Sequence, residues 1–275
     1  MTERININLG NVQKTLFLPL WGRAMETKKK NPMLVDETAA RIIGLVDYDF
    51  SQMTQNLDEI SQIAWIKRSL IGDQVIGKFL EAYPEGTIVT VGCGLDTTFE
   101  RIYNGKLKWY DLDLSDVIEL RRKFIQENER RKFIASSFLE KQWLDQIEVK
   151  GNVLFMAAGV LYYFEENRVK DFILRLTDKF PGGEMLFDVA SPIGVRVANK
   201  RVVEGSGLDE RSHLKWGLKN KKVISAWDSR IKLIGTHYYY RTLRLNPRNF
   251  LMGMLSDTLG IQYMLHLRLG DVKLS

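Results

Sequence analysis

The stretch with the most chemistry in it is Val89-Thr90-Val91-Gly92-Cys93-Gly94-Leu95-Asp96-Thr97. A β-branched run enters a Gly-x-Gly turn and leaves it in a helical pattern. Glycines in such a turn let the backbone pass close to a ligand where a Cβ would clash. Asp113 lies 21 positions after Gly92, at the end of the next strand candidate. Open α/β sheets place a carboxylate there to accept hydrogen bonds from ribose hydroxyls. Asp111 shares its face by alternation but lies farther from the strand end. The dinucleotide fingerprint would need a third glycine, and the position three after Gly94 is Thr97. A nucleoside without phosphates therefore fits better than a pyrophosphate, and S-adenosylmethionine is such a ligand.

Other chemistry is sparse. The three histidines are His213, His237 and His266. No Ser-His-Asp or Cys-His order suggests a covalent nucleophile, and no spacing suggests a metal site, so no metal is expected. Cys93, the single cysteine, cannot form an intramolecular disulfide and reads as a small filler inside the glycine turn.

These residues need a scaffold. The chain has 275 residues, 45% apolar and 27% charged, which is the range of globular proteins. No apolar run nears the roughly 20 residues of a membrane helix, and no secretory signal pattern opens the chain. The expectation is a soluble cytoplasmic protein with no membrane partner. A net charge of +6 and a pI near 9.2 come from dispersed basic residues, which points away from nucleic acid.

The first ~85 residues read as helical. Leu57 to Tyr83 carries Ile60, Ile63, Ala64, Leu70, Ile71, Val75, Phe79 and Leu80 near a 3.6 period, and Pro84-Glu85-Gly86 ends it. Strands are expected at Thr87–Val91, Leu107–Asp113, Lys132–Phe138, Val153–Ala157 and Glu184–Val189. A helix capped by Ser115 and one at Glu165–Phe180 alternate with them. That alternation implies a parallel sheet covered on both faces. Residues 191 to 245 read as an insertion. It holds a charged loop at Ser206–Lys222, a helix at Ile224–Leu233, and a strand or loop at His237–Leu245. Asn246-Pro247 opens a short helix, Gly260 ends it, and Ile261–Leu269 is the last strand. No linker separates independent domains, so 1–275 reads as a single domain with a helical cap (about 1–85) on a core (about 86–275).

Several blocks, in order, resemble a known family. Gly92-x-Gly94-Leu95-Asp96-Thr97 with Arg101 is similar to the GxGLDTRxxR block of the leucine carboxyl methyltransferases and tetracenomycin-type polyketide O-methyltransferases. Asn31-Pro32-Met33-Leu34-Val35-Asp36-x-x-Ala39 resembles their opening motif. Trp109-Tyr110-Asp111-Leu112-Asp113-Leu114, Gly159-Val160-Leu161-Tyr162-Tyr163-Phe164 and Gly182 to Asp188 resemble later ones. The resemblance implies a Rossmann-like class I methyltransferase fold: a central, mostly parallel seven-stranded sheet, helices on both faces, and an added N-terminal helical cap. It implies S-adenosylmethionine as donor and S-adenosylhomocysteine as product. Carried over by position, Arg68 pairs with the donor carboxylate, Lys30 reaches the same end, and Gly92 and Gly94 form the close-approach turn. Asp113 takes the ribose, and Ser137 and Phe138 flank the adenine. Ala158 stands where the family has glutamate, and Ser137 where it has aspartate.

The activity so implied is an O-methyltransferase acting on a carboxylate or hydroxyl of a small polyketide-like metabolite. Alternatives are a protein C-terminal carboxyl methyltransferase and a catalytically inactive S-adenosylmethionine-binding protein. Scarce bases favour a carboxylate acceptor, which is already ionised near neutral pH. Arg23, Tyr162, Tyr163, His237 and Tyr239 are the acceptor-side candidates, with Trp65 beside them. Three adjacent tyrosines, Tyr238 to Tyr240, cannot all face one pocket.

Overall fold

The computed structural model describes Ile5 and residues 11–51, 59–200, 213–241 and 246–271. The expected charged loop at Ser206–Lys222 lies partly outside these residues.

Seven strands form one sheet in the order β3-β2-β1-β4-β5-β7-β6. They are β1 (Thr87–Val91), β2 (Lys108–Asp113), β3 (Arg131–Ala135), β4 (Val153–Ala157), β5 (Gly183–Val189), β6 (Lys232–Tyr238) and β7 (Tyr263–Leu269). β1 to β5 pair in parallel, and β7 runs antiparallel between β5 and β6. The chain reverses direction across the sheet at β1, where connections go to β2 on one side and β4 on the other. In α/β sheets the crevice at the carboxyl ends of such strands is where ligands bind.

The apolar runs of β1 and β4 are buried throughout because both faces are covered. Alternation sorts their side chains between two cores. Val89, Val91, Val153, Phe155, Ala157, Met185 and Phe187 face one core with Val169, Phe172, Ile173 and Leu176 of the helix Glu166–Lys179. Ile88, Leu154, Met156 and Leu186 face the other, against Ile63, Ile71, Val75, Ile76 and Phe79 of the helix Glu59–Ala82. A third cluster joins Phe17, Leu18, Leu20 and Ala24 of the helix Asn11–Thr27 to Ala39 and Ile42 of Glu37–Leu45. Cys93 and Leu95 of the glycine turn belong to it too. In chain order these helices are α1 (Asn11–Thr27), α2 (Glu37–Leu45), α3 (Glu59–Ala82), α4 (Thr98–Ile102), α5 (Ser115–Arg122), α6 (Glu166–Lys179), α7 (Pro192–Ala198), α8 (Lys222–Trp227) and α9 (Pro247–Leu259).

Three local readings change. Ser115 is the first residue of α5 rather than its cap; Leu114 takes the capping position and no side chain bonds there. The helix expected over Ile224–Leu233 stops at Trp227, and the chain enters β6 at Lys232. Asp228 and Arg230 drive that turn, with Asp228 Oδ1 accepting from Arg230 N at 2.8 Å and Nε at 3.0 Å. The third strand spans Arg131–Ala135, so Ser137 and Phe138 follow it. Asn246 caps α9 by accepting from Asn249 N, and Gly260 ends it in the left-handed region at φ 57°.

Candidate functional site

A cavity of about 260 Å³ opens at the carboxyl end of the sheet. The glycine turn forms one wall, with Val91 to Asp96 all lining it. Gly92 and Gly94 adopt φ of 63° and 46°, conformations an L side chain rarely takes. A Cβ on Gly92 would lie 2.4 Å from Val160, so this glycine also seats the turn after β4 against the turn after β1. Asp113 sits at the end of β2 just behind that wall. Its Oδ2 accepts from Gly94 N at 2.7 Å and its Oδ1 from Leu114 N at 2.8 Å. Burial raises its pKa first, and these two backbone N–H groups pull it back, leaving it above the ordinary carboxylate value.

Neither Asp113 nor Asp111 lines the cavity, and Asp111 is the deeper of the two. It is fully buried, accepts from Thr90 and Trp109, and is paired with Arg121 at 3.1 Å and Arg131 at 2.6 Å. Arg121 in turn donates to the Gly94 and Asp96 carbonyls at 2.8 Å each. The pair of aspartates on β2 thus divides into one that builds the turn from below and one at its edge.

Arg68, on α3, enters the opposite wall. Its Nη1 lies 3.1 Å from Asp188 Oδ2 and 3.5 Å from the Tyr162 hydroxyl. Its Nε and Nη2 have no hydrogen-bond partner among the described residues. Burial works against its charge, but Asp188 outweighs that and holds the guanidinium above its ordinary value. Gly159 clears the path of this side chain. It has φ 82°, and a Cβ there would stand 2.9 Å from Arg68 Nη1. The Tyr162 hydroxyl is pushed well up by burial and Tyr163 to about 12, so both phenols are protonated.

A second polar network docks the cap onto the glycine turn. Asp36 Oδ2 receives Arg23 Nε at 2.9 Å, Arg101 Nη1 at 2.8 Å and Thr97 Oγ1 at 2.5 Å. Its Oδ1 caps α2 through Ala39 N at 2.8 Å. Arg23 Nη2 reaches the Leu95 carbonyl at 3.2 Å, and Arg101 makes a two-pronged contact with Asp73 at 2.8 Å.

The expected site residues separate clearly. Arg68, Gly92, Gly94, Ala158, Tyr162, Tyr163, Arg23 and Trp65 line the cavity. Arg23 does so with its guanidinium engaged by Asp36, which makes it a strut between cap and turn rather than a free cation. Lys30 is exposed after α1 and does not line the cavity. Phe138 is a core ring, edge-on to Phe164 and Phe172, and Ser137 Oγ accepts from Leu139 N; neither lines the cavity. His237 lies on the edge strand β6 beside His266, ring centres 6.2 Å apart, away from the cavity. Tyr239 is fully buried behind the wall, and Tyr240 lines the cavity instead, its hydroxyl donating to the Ile60 carbonyl. Both follow β6 and share one apolar cluster, with ring centres 6.3 Å apart and Tyr239 the deeper of the two.

Two partners of the site were not among the expected residues. Asp188 is the next-to-last residue of β5, and Gln262 precedes β7 and lines the cavity. A carboxylate closing the apolar run Met185-Leu186-Phe187 was the visible signal for the first. Ala157 pairs with Phe187, so Asp188 follows beside Ala158 at the strand ends.

These features fit a nucleoside sulfonium ligand in three respects. The close-approach turn is shaped for it, an acidic group stands at the end of β2, and a guanidinium faces the cavity with donors to spare. Among the described residues no group of His, Cys, Asp and Glu could hold a metal ion, and no helix is long and apolar enough to cross a membrane.

Comparison with known proteins agrees with this architecture. The chain is 28% identical over 222 residues to the tetracenomycin polyketide synthesis O-methyltransferase TcmP of Streptomyces glaucescens, covering 80% of each. It is 28% identical over 216 residues to the S-adenosyl-L-methionine-dependent methyltransferase dpfgK of Gibberella zeae, covering 72% of each. Among solved structures it is similar in fold to a methyltransferase candidate from Thermobifida fusca. The TM-score is 0.59 at 12% identity, over 93% of this chain and 95% of that one. Residues 17–177 match the family described as leucine carboxyl methyltransferase. The chain belongs to that family of S-adenosylmethionine-dependent methyltransferases.

Proposed function

We propose that the protein is an O-methyltransferase whose acceptor is a carboxylate on a small, largely apolar, polyketide-like metabolite. The observation that carries this is the scarcity of bases among the cavity's described lining residues. Among its described lining residues there is no histidine and no lysine. Asp96 is the single carboxylate among them, and its Oδ1 and Oδ2 accept from Thr98 N at 2.9 Å and Thr98 Oγ1 at 3.0 Å. Tyr162 and Tyr163 hold their protons. A phenol or alcohol would need a proton removed during transfer, whereas a carboxylate is ionised near neutral pH.

S-adenosylmethionine, when bound, supplies an already activated methyl group. The chain's own task is then orientation and exclusion of water. Proximity and alignment alone account for roughly 7–11 kcal/mol in favourable intramolecular cases. Gly92 and Gly94 give the backbone close approach, Asp113 accepts from ribose hydroxyls, and Arg68 presents Nε and Nη2 to the donor's carboxylate. Trp65, Tyr163, Leu18, Leu214 and Val197 enclose the rest of the acceptor in apolar surface. The reading takes 1–275 as one domain and, with Cys93 free and buried, a reducing cytoplasmic location. The similarity to a polyketide O-methyltransferase supports a small acceptor over a protein C-terminus.

The test is methyl transfer from labelled donor to paired acceptors: aromatic polyketide-like acids, the same compounds with the carboxylate blocked but hydroxyls free, and a peptide ending in leucine. Base-labile label on the free acids alone supports the reading. Base-stable label on the blocked compounds would replace it with a hydroxyl acceptor. Label on the peptide alone would replace it with a protein carboxyl acceptor. Donor binding without transfer to any of them would make it a binding protein.

A further inference from the structure

We infer that Asp188 is a positioning residue of the donor site, acting through Arg68. The inference rests on the reading that Arg68 receives the donor's carboxylate. Asp188 is fully buried, which is rare for a carboxylate unless all its capacity is used. Here it is used three ways. Oδ1 accepts from Gly159 N at 2.7 Å, and Oδ2 accepts from Arg68 Nη1 at 3.1 Å and from Gln262 Nε2 at 3.1 Å. One carboxylate thereby joins three elements around the cavity: the turn after β4, helix α3, and the segment entering β7.

The consequence for Arg68 is directional. A guanidinium has five N–H donors in a rigid plane, so fixing one nitrogen fixes where the others point. With Nη1 held by Asp188, Nε and Nη2 are the donors left for a second carboxylate. Gly159 completes the arrangement. Its N–H anchors the carboxylate, and its missing Cβ leaves room for the same guanidinium it helps to place. The turn that Gly159 belongs to carries Val160, which packs against Gly92. Asp188 therefore sets the distance between the guanidinium and the glycine turn, the two walls that must grip opposite parts of one ligand.

An asparagine at this position cannot serve all three donors. Its amide offers one oxygen, and its NH2 would face either Gly159 N–H or the pair of Arg68 and Gln262. The experiment is calorimetric titration of S-adenosylhomocysteine into the parent protein, Asp188→Asn, Arg68→Ala and the double variant, with melting temperatures recorded for each. Asp188→Asn is expected to weaken binding about tenfold or more in the parent background. In the Arg68→Ala background it is expected to change binding less than twofold, because the residue it positions is gone. A purely structural role would give the same loss in both backgrounds, and that additive result, or parent-like binding by Asp188→Asn, overturns the inference. If Asp188→Asn does not fold, Gln262→Ala carries the test. It removes one bond to Oδ2, with about a threefold loss expected that vanishes when Arg68 is absent; a loss persisting there, or no loss in the parent, overturns the inference. Parent-like binding by Arg68→Ala defeats the reading of Arg68 itself, and is distinguishable from additivity.

Discussion

Asp36→Asn isolates the contact that docks the helical cap. The substitution keeps the side chain's size, and its remaining oxygen can still cap α2 through Ala39 N. What it removes is the negative charge on which Arg23, Arg101 and Thr97 converge. Deleting one partner of a buried ion pair costs about 3–5 kcal/mol, mainly because a charge is left uncompensated. Two features of the network set the lower end. Arg101 keeps its two-pronged contact with Asp73, and Arg23 keeps the Leu95 carbonyl. Arg23, already below its ordinary pKa because of burial, is then left without a carboxylate partner. The expected loss is therefore about 3 kcal/mol, and a melting temperature lower by roughly 6–9 °C for a chain of this size. The effect has a pH signature. Burial pushes Asp36 up, but Arg23 and Arg101 outweigh it, so its folded pKa lies below the ordinary value. The stabilisation is thus fully present above the unfolded pKa and is lost as pH falls through the folded one. Parent and variant should differ fully at pH 7 and converge below ~pH 4. Thermal melts followed by circular dichroism across pH 2.5 to 8 would read both. Melting within about 1 °C of the parent at pH 7 would refute the reasoning, since it would mean the cap docks through apolar contact alone.

Gly159→Ala should weaken S-adenosylhomocysteine binding at least tenfold, because the new Cβ strikes Arg68 Nη1 and the backbone is held at φ 82°; unchanged affinity by calorimetry would contradict that geometry. Asp113→Ala should weaken the same binding by about 1–3 kcal/mol through loss of charge-assisted hydrogen bonds, and parent-like affinity would remove Asp113 from the site. With Tyr162 raised and Tyr163 near 12, initial rates on a carboxylate acceptor at saturating substrate should stay flat from pH 6.5 to 9; a rate rising tenfold per pH unit there would reveal a proton removed in the rate-limiting step. Burial raises the Cys93 thiol well above its ordinary value, so a thiolate-selective alkylating reagent should label it in denaturant and not in the folded protein at pH 8.

The sheet was legible because its signals are local. The expected bounds of β1 and β4 match the structure to the residue, since a β-branched run (Thr-Ile-Val-Thr-Val) or an apolar one (Val-Leu-Phe-Met-Ala) between turn residues has few other readings. The glycine turn was legible for the same reason. Errors gathered where a distant residue decides the outcome. The helix expected to reach Leu233 was cut short by the Asp228–Arg230 pair and by the pairing of Lys232 with Arg268 on β7, which no propensity encodes. Which of three adjacent tyrosines lines the cavity is decided after β6 ends, where Asp257 of α9 accepts from Tyr240 N at 3.1 Å and holds the bend, a contact 17 positions away in sequence.

The residues around the cavity divide by the same logic. Positions adjoining the Gly-x-Gly turn could be found from spacing alone, because strand, turn and strand end fix them within a few ångströms. Lys30 and His237 could not be tested that way. Each stands in a segment whose path depends on packing, and packing left one in solvent and the other on an edge strand. Asp188 is the reverse case. Its partners Arg68 and Gln262 are 120 and 74 positions away in sequence, so the charge after Met185-Leu186-Phe187 marks the position without naming what it binds. Burial of a carboxylate is costly enough that the fold must supply every partner it needs. In this chain those partners are the three elements that shape the cavity. A charge that looks like a flaw in an apolar strand is thus where the site's two walls are joined.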